Sequence, residues 1–259
     1  RPGWHLEGSA MSRRYLCDTF DIHCGGQDLI FPHHENEIAQ SECCTGKPFA
    51  RFWMHNGYLN IDNRKMSKSL GNFFTVREIS EKYGYEAIRY LMLSAQYRSP
   101  INFSQEVIEA CVASLERMYT CRDNLDFAIA NAAEGGDDLR ALCDKRRDEF
   151  KRAMDDDLNT ADAISAVFEL VRDVNSAKEQ SKGTLEYAAS VFDELTGVLG
   201  LVYNRKTEDI PQEIVDMANE RTAARKAKDF ARADALRAQI TERGYLLEDT
   251  AEGPKITKK

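Results

Sequence analysis

Cysteine is sparse and unpaired in this chain of 259 residues: the seven thiols, at 17, 24, 43, 44, 111, 121 and 143, are odd in number, form no CxxC pair and stop before the last hundred-odd residues. That pattern excludes a disulfide framework and predicts a reducing, cytoplasmic setting. No apolar run approaches the ~20 residues that span a bilayer, so no membrane partner is expected. The opening RPGWHLEG lacks both a charged-then-apolar signal pattern and an initiating Met; a soluble protein whose N-terminus lies further upstream is the expectation.

Charge of one sign is also missing once the sequence is divided. The formal net charge is −8, but residues 104–218 alone carry 13 basic against 25 acidic groups, whereas residues 51–103 carry 8 against 4 and residues 219–259 carry 10 against 7. The acidity belongs to one middle segment flanked by basic ones, which leaves an anionic partner open.

Residues 1–60 are rich in Gly, Pro, His and aromatics, with short apolar stretches such as Tyr58-Leu59-Asn60-Ile61 between turn signals; this predicts an α/β layer of strands alternating with helices. From Thr75 the period changes. Val76, Ile79 and Tyr83, then Ala87, Ile88, Leu91 and Met92, recur at three- and four-residue spacing and predict two short helices over 75–96. Pro100-Ile101-Asn102-Phe103 reads as a break, and Ser104 as the N-cap of a long amphipathic helix with Val107, Ile108, Cys111, Leu115, Met118 and Tyr119 on its apolar stripe. Gly135-Gly136 ends that helix. Proline-free periodic stretches at about 138–154, 160–180 and 185–203 complete a four-helix bundle. Two further helices, about 211–227 and 230–243, Gly244 as a C-cap and a terminal hairpin around Ala251-Glu252-Gly253 make a separate small module.

Two stretches carry chemistry. Lys65-Met66-Ser67-Lys68-Ser69 places two lysines three apart among small hydroxyl residues; such a loop suits polyphosphate, where an ammonium that engages developing charge lowers a barrier, and equally suits a solvated surface. The run from Asp21 to Glu37 is denser. Gly25-Gly26 allows a backbone to approach a ligand closely, and Asp28 is placed to accept hydrogen bonds from ribose hydroxyls. His33 and Glu37, four apart on a helix starting at Pro32, aim an imidazole and a carboxylate together, as zinc requires; an ordinary polar helix start would look the same.

Trp4-His5-Leu6-Glu7, Asp21 to Glu37, Trp53-Met54-His55, Lys65 to Ser69, Met154-Asp155-Asp156-Asp157-Leu158-Asn159-Thr160 and Ala231 to Arg237 together resemble cysteinyl-tRNA synthetases in order and spacing, over essentially the whole chain. The resemblance implies the second half of a Rossmann-type class I catalytic domain with its KMSKS loop (1–74), a stem-contact connector (75–103), a mostly α-helical bundle of DALR type (104–205) and a small α+β anticodon-binding module (206–259). It implies a monomer that activates cysteine with ATP and magnesium, transfers it to tRNA(Cys), and holds the substrate thiolate on a zinc ion. Lys65 and Lys68 become catalytic, with Lys68 on ATP beside Gly25, Gly26 and Asp28. Trp4 and His23 line the cysteine pocket, and His33 and Glu37 take zinc-ligand positions. Arg225, Lys226, Arg232 and Arg237, within a basic 221–243 segment, would meet tRNA.

Two departures stand out. The family's HIGH signature and first zinc cysteine belong to an N-terminal half that this sequence does not contain, so the chain by itself is expected to be inactive. Gly8 stands where the family carries a second zinc cysteine, and Cys24 occupies a position where the family has Gly or Ser; Cys24 is therefore a candidate replacement ligand, its alternative being a small buried filler. Rival readings are the cysteine-activating ligase of mycothiol biosynthesis, against which the basic tail argues, and a noncatalytic tRNA-binding paralogue, which Gly8 would suit.

Overall fold

The computed structural model describes residues 3–61, 64–65, 75–132, 134–205, 210–250 and 253–258. They pack as two compact units, residues 1–115 with 149–165 and residues 116–148 with 166–259.

The first unit opens with α1 (Trp4–Tyr15), β1 (Phe20–Gly26), a 3-10 turn (Gln27–Leu29), a wide π-type turn (Ile30–His34), α2 (Glu35–Thr45) and β2 (Ala50–Asn56). This is the expected alternation. β1 and β2 pair in parallel, Phe20 opposite Ala50 through Gly26 opposite Asn56, and parallel neighbours need a crossover, which α2 supplies. Gly46, left-handed at φ 68°, releases the chain from α2. Phe20 and Phe49 are buried edge to face, with ring centres 4.8 Å apart, and fix the start of the strand pair.

β3 (Leu59–Ile61), β4 (Arg64–Lys65) and β5 (Ile101–Phe103) form a second sheet in the order β4-β3-β5, with β3 parallel to β5 and antiparallel to β4. The segment 100–103, expected as a break, is thus a sheet strand, because its partner lies some forty residues earlier. The two short helices are α3 (Val76–Tyr83) and α4 (Tyr85–Leu93). Thr75 and Glu78 form a capping box: the Glu78 backbone N–H donates to the Thr75 hydroxyl and the Thr75 backbone N–H donates to the Glu78 carboxylate at 2.6 Å.

The helical region follows the sequence periodicity as α5 (Gln105–Asn131), α6 (Asp138–Asp155), α7 (Thr160–Ser176) and α8 (Lys182–Leu199). The last starts earlier than its apolar stripe suggests, because the Ser181 hydroxyl accepts from the Thr184 N–H; Gly200, left-handed, stops it. In the second unit Met118, Leu125, Leu139, Leu170, Phe192 and Leu195 are buried. Some of the acidic groups are structural here. Arg122 donates from Nε and Nη2 to both oxygens of Asp193, at 2.8 and 3.0 Å, and Arg146 Nε donates to Asp173 at 2.7 Å. Arg147 pairs with Glu194 at 2.8 Å. Cys111, Cys121 and Cys143 are buried and all seven thiols are free; burial pushes the Cys121 thiol up to about 12.

The C-terminal part consists of α9 (Gln212–Lys226), α10 (Phe230–Glu242), β6 (Tyr245–Thr250) and β7 (Gly253–Lys258), the last two an antiparallel hairpin. Ile214, Met217, Ala218, Leu236, Ile240 and Leu247 form its core. Arg243 is the C-cap of α10, with Gly244 just beyond it at φ 87°. No helix among the described residues is long and apolar enough to cross a membrane.

Candidate metal and substrate site

The sequence has five histidines, at 5, 23, 33, 34 and 55, and the first unit gathers all of them. α1 delivers His5 beside Trp4, β1 delivers His23, the wide turn delivers His33 and His34, and β2 delivers His55 beside Trp53. His23, His33 and His34 share Glu37 as a neighbour, in the first turn of α2 and only 2% exposed. A carboxylate so deeply buried needs hydrogen-bond partners. His23 Nε2 lies 2.6 Å from Glu37 Oε2, and His33 Nε2 lies 3.2 Å from Glu37 Oε1.

A second layer orients these rings. His33 Nδ1 is 2.9 Å from His5 Nδ1, and His34 Nδ1 is 2.8 Å from His55 Nε2; in each pair one ring must be the donor and the other the acceptor. The Trp4 indole stacks on His33 with ring centres 3.8 Å apart and planes 23° from parallel, and its other surroundings are open, leaving it 59% exposed. Trp53 lies against both His23 and His34. Burial, then the neighbouring His23 charge, depresses the His34 pKa to about 4, and the same causes in the same order lower that of His55. At neutral pH His34 is therefore an uncharged imidazole with a lone pair.

Two glycines make room for this arrangement. A Cβ at Gly8, on α1, would lie 1.9 Å from Glu37 Oε1, so the position at which the sequence departs from the family pattern points at the buried carboxylate. A Cβ at Gly25 would lie 2.7 Å from His34 Cε1. The missing side chain of Gly25 thus leaves room for the His34 ring. Gly26 faces the carboxylate of Asp28, and Asp28 itself is exposed on the 3-10 turn.

Of the three expected metal ligands, His33 and Glu37 are brought together and Cys24 is not. Successive strand residues point to opposite faces; Cys24 follows His23 in β1 and is exposed on the other side. Among the described residues, the group whose ligand atoms lie within 4.8 Å of one another is His23, His34 and Glu37. His34, His5 and His55 had been given no role from sequence, although the His33-His34 pair and the Trp53-Met54-His55 run were visible signals. Lys65 ends β4 opposite Asn60, while Lys68 lies outside the described residues.

Of the four basic residues expected at RNA, Arg225 is ion-paired to Asp249 and Arg232 to Glu220. Lys226 and Arg237 are exposed, Arg237 on an open groove with Asp234, Thr241 and Glu242.

Comparison with known proteins bears directly on this geometry. Residues 1–113 match the family described as tRNA synthetases class I (C) catalytic domain, and residues 149–203 match the DALR domain. All of the chain is 55% identical to the cysteine–tRNA ligase of Caldicellulosiruptor saccharolyticus, and 98% of it is 50% identical to that of Clostridioides difficile. Along its whole length the chain is similar to cysteine–tRNA ligases. It spans 57% and 56% of the length of these two relatives. Solved structures with a similar fold include the LeuRS of Agrobacterium radiobacter K84 in a ternary complex with tRNA and LeuAMS (TM-score 0.56, 16% identity, 70% of this chain and 28% of that one). Another is the methionyl-tRNA synthetase of Mycobacterium tuberculosis with methionyl-adenylate (TM-score 0.53, 19% identity, 72% and 41%). The fold thus puts the histidine cluster on the paired strands β1 and β2, beside the crossover α2.

Proposed function

We propose that the chain is the C-terminal portion of a cytoplasmic, monomeric cysteine–tRNA ligase that activates cysteine with ATP and magnesium and transfers it to tRNA(Cys). One observation carries the reading: His23 and His33 converge on the buried Glu37 carboxylate beneath the exposed Trp4 indole, so an imidazole and carboxylate donor set stands at the foot of an aromatic wall. Imidazole nitrogen and carboxylate oxygen are zinc donors, and the donor set fits. Glu37 with the imidazoles grouped on it would hold the ion, which when bound supplies a Lewis acid that takes the substrate's thiol as thiolate.

The chain's own residues do the rest. His5 fixes the tilt of His33, and Trp4 stacked on His33 presents an apolar face to a small side chain while excluding water from it. A site that demands a thiol can reject the hydroxyl analogue by ~10⁴–10⁵, because its buried partner is otherwise left unmatched. In this reading Lys65 and Lys68 bring positive charge to the phosphates of ATP as pyrophosphate departs, and Gly25, Gly26 and Asp28 edge the nucleotide. Lys226 and Arg237 meet tRNA phosphates, with Arg225 and Arg232 held back by their acidic partners.

The test is cysteine-dependent ATP–pyrophosphate exchange, followed by tRNA charging, with the full-length protein that contains this chain. Exchange with charging is the expected result. Exchange without charging would identify a ligase that joins cysteine to another amine, and absence of both would identify a noncatalytic RNA-binding relative, the outcome that Gly8 favours.

A further inference from the structure

The turn between α6 and α7 is built around one carboxylate. Asp157 and Leu158 are both left-handed at φ 54°, a conformation that residues other than glycine adopt rarely and keep only where their surroundings over-determine it. Three consecutive residues of the first unit supply those surroundings. The Tyr97 hydroxyl donates to Asp157 Oδ1 at 2.9 Å, Arg98 Nη2 donates to Oδ2 at 2.9 Å, and Gln96 Nε2 donates to the Asp157 carbonyl at 3.0 Å and to Oδ2 at 3.3 Å. We infer that Asp157 is a positioning residue for the carboxyl ends of β1 and β2 and for the turn Gln27–Leu29, acting through the loop 94–100. The inference rests on the reading above only for the ligand served, ATP.

That loop holds the two strands with its backbone. The Arg98 carbonyl accepts from Gln27 Nε2 at 2.8 Å, and the Tyr97 carbonyl accepts from the Gly57 N–H at 2.8 Å. Gln27 follows β1 directly and Gly57 follows β2 directly. Position 57 leaves no room for a side chain, since a Cβ there would lie 2.5 Å from the carbonyl carbon and oxygen of Ser99; the loop and the strand end meet backbone to backbone. Both parallel strands are therefore clipped where they end, the edge at which open α/β sheets take their ligands, and Gly26 and Asp28 flank the clipped Gln27.

An isolated exposed ion pair such as that of Arg98 with Asp157 fixes little. Here Gln96, Tyr97 and Arg98 converge on one residue, and a loop whose side chains are held on one side presents its carbonyls in a set direction on the other. The Arg98 N–H donates to Gln96 Oε1 at 2.7 Å and the Ser99 N–H to the Gln96 carbonyl at 2.8 Å, so the loop has a defined shape to transmit. Burial, then the Asp157 hydrogen bond, raises the Tyr97 pKa, and the phenol remains a donor throughout the neutral range. On the other side of the turn Asn159 caps α7, accepting from the Asp162 N–H at 3.2 Å; the cap holds the helix and leaves the Asp157 carboxylate to the loop.

The experiment uses the full-length protein that contains this chain, with two readouts: hydrogen exchange of the peptide covering residues 20–34, and cysteine-dependent ATP–pyrophosphate exchange. Asp157→Asn should speed amide exchange in the turn Gln27–Leu29 by about tenfold and raise the KM for ATP by about three- to tenfold, with the KM for cysteine unchanged. Gln27→Ala, at an exposed position, should do the same, and the double variant should be no worse than the worse single one, because both cut one route. Tyr97→Phe, which keeps the ring and loses one hydrogen bond, should move both readouts in the same direction by less, and it keeps the test open if Asp157→Asn fails to fold. Leu158→Gly, which removes the left-handed side chain but keeps the carboxylate, should leave both readouts unchanged. Unaltered amide exchange in the turn, equal rises in both KM values, additive effects in the double variant, or a lowered melting temperature with unchanged kinetics would each overturn the inference. Faster amide exchange in a protein that shows no pyrophosphate exchange even as wild type would uphold the positioning and overturn the cysteine-ligase reading.

Discussion

Replacing Gly8 by Ala adds one methyl group and tests the central geometric claim, that α1 lies directly on the Glu37 carboxylate. Gly8 is inside α1, where Ala is intrinsically favoured over Gly by about 0.8–1 kcal/mol. Against this, the new Cβ would stand 1.9 Å from Glu37 Oε1 and 3.0 Å from Cδ, so the carboxyl group must retreat by roughly 1.5 Å to reach ordinary contact at about 3.4 Å. It has nowhere to retreat without loosening His23 or His33. Weakening one hydrogen bond to a charged group costs about 1.5–3 kcal/mol, and overpacking about 1–3 kcal/mol. The balance is a net destabilisation of about 1.5–5 kcal/mol. The control is Gly197→Ala in α8, where an added Cβ meets nothing within 4 Å and only the propensity gain of about 0.8–1 kcal/mol remains. Both tryptophans, Trp4 and Trp53, are in the first unit, so urea unfolding followed by their fluorescence reports on Gly8→Ala, and circular dichroism reports on Gly197→Ala. If Gly8→Ala stabilised the first unit as Gly197→Ala stabilises the second, the reasoning would be refuted.

Asp249→Ala should destabilise the second unit by about 2–3 kcal/mol in urea, since it strands Arg221, 4% exposed and held by two hydrogen bonds of 2.6 and 3.1 Å. This lies below the ~3–5 kcal/mol of a fully buried pair because Asp249 is 47% exposed, and a loss under about 0.5 kcal/mol would show that the pair contributes little. The Arg221 hydrogen bond, then the Arg221 and Arg225 charges, hold the Asp249 carboxyl at about 2. Its contribution is therefore complete above the ordinary value near 3.9 and fades as pH falls from there toward about 2; a carbon-13 titration midpoint of 3.5 or more would contradict this. In tRNA shift assays the Lys226→Ala/Arg237→Ala double variant should lower the salt slope by about 1–2. Arg225→Ala/Arg232→Ala should lower it less, because those charges already face Asp249 and Glu220; the reverse order would overturn the assignment.

What could be read from the sequence and what could not divide along one physical line, the distance over which the deciding interaction acts. The helices were legible because apolar periodicity is local: Ile108, Cys111, Leu115 and Met118 repeat on one face and all are buried. β5 was not, since three residues have no period and their pairing with Leu59–Ile61 is a tertiary fact. The same division runs through the site. His33 and Glu37 were legible as an i, i+4 pair, and their atoms do meet. His34 was silent because its place is set by β1 through Gly25 and by β2 through His55, neither of which is adjacent in sequence. Cys24 looked like a replacement for the ligand missing at Gly8 because the two departures occur together, yet alternation along a strand that already presents His23 to Glu37 puts the next residue on the other face. The basic tail shows the converse. Counting charges makes Arg225 and Arg232 equivalent to Lys226 and Arg237, whereas folding brings Asp249 and Glu220 from 24 and 12 residues away to pair with the first two. A loss at position 8 is therefore best judged by what surrounds it in space, and what surrounds it is a carboxylate already served by imidazoles.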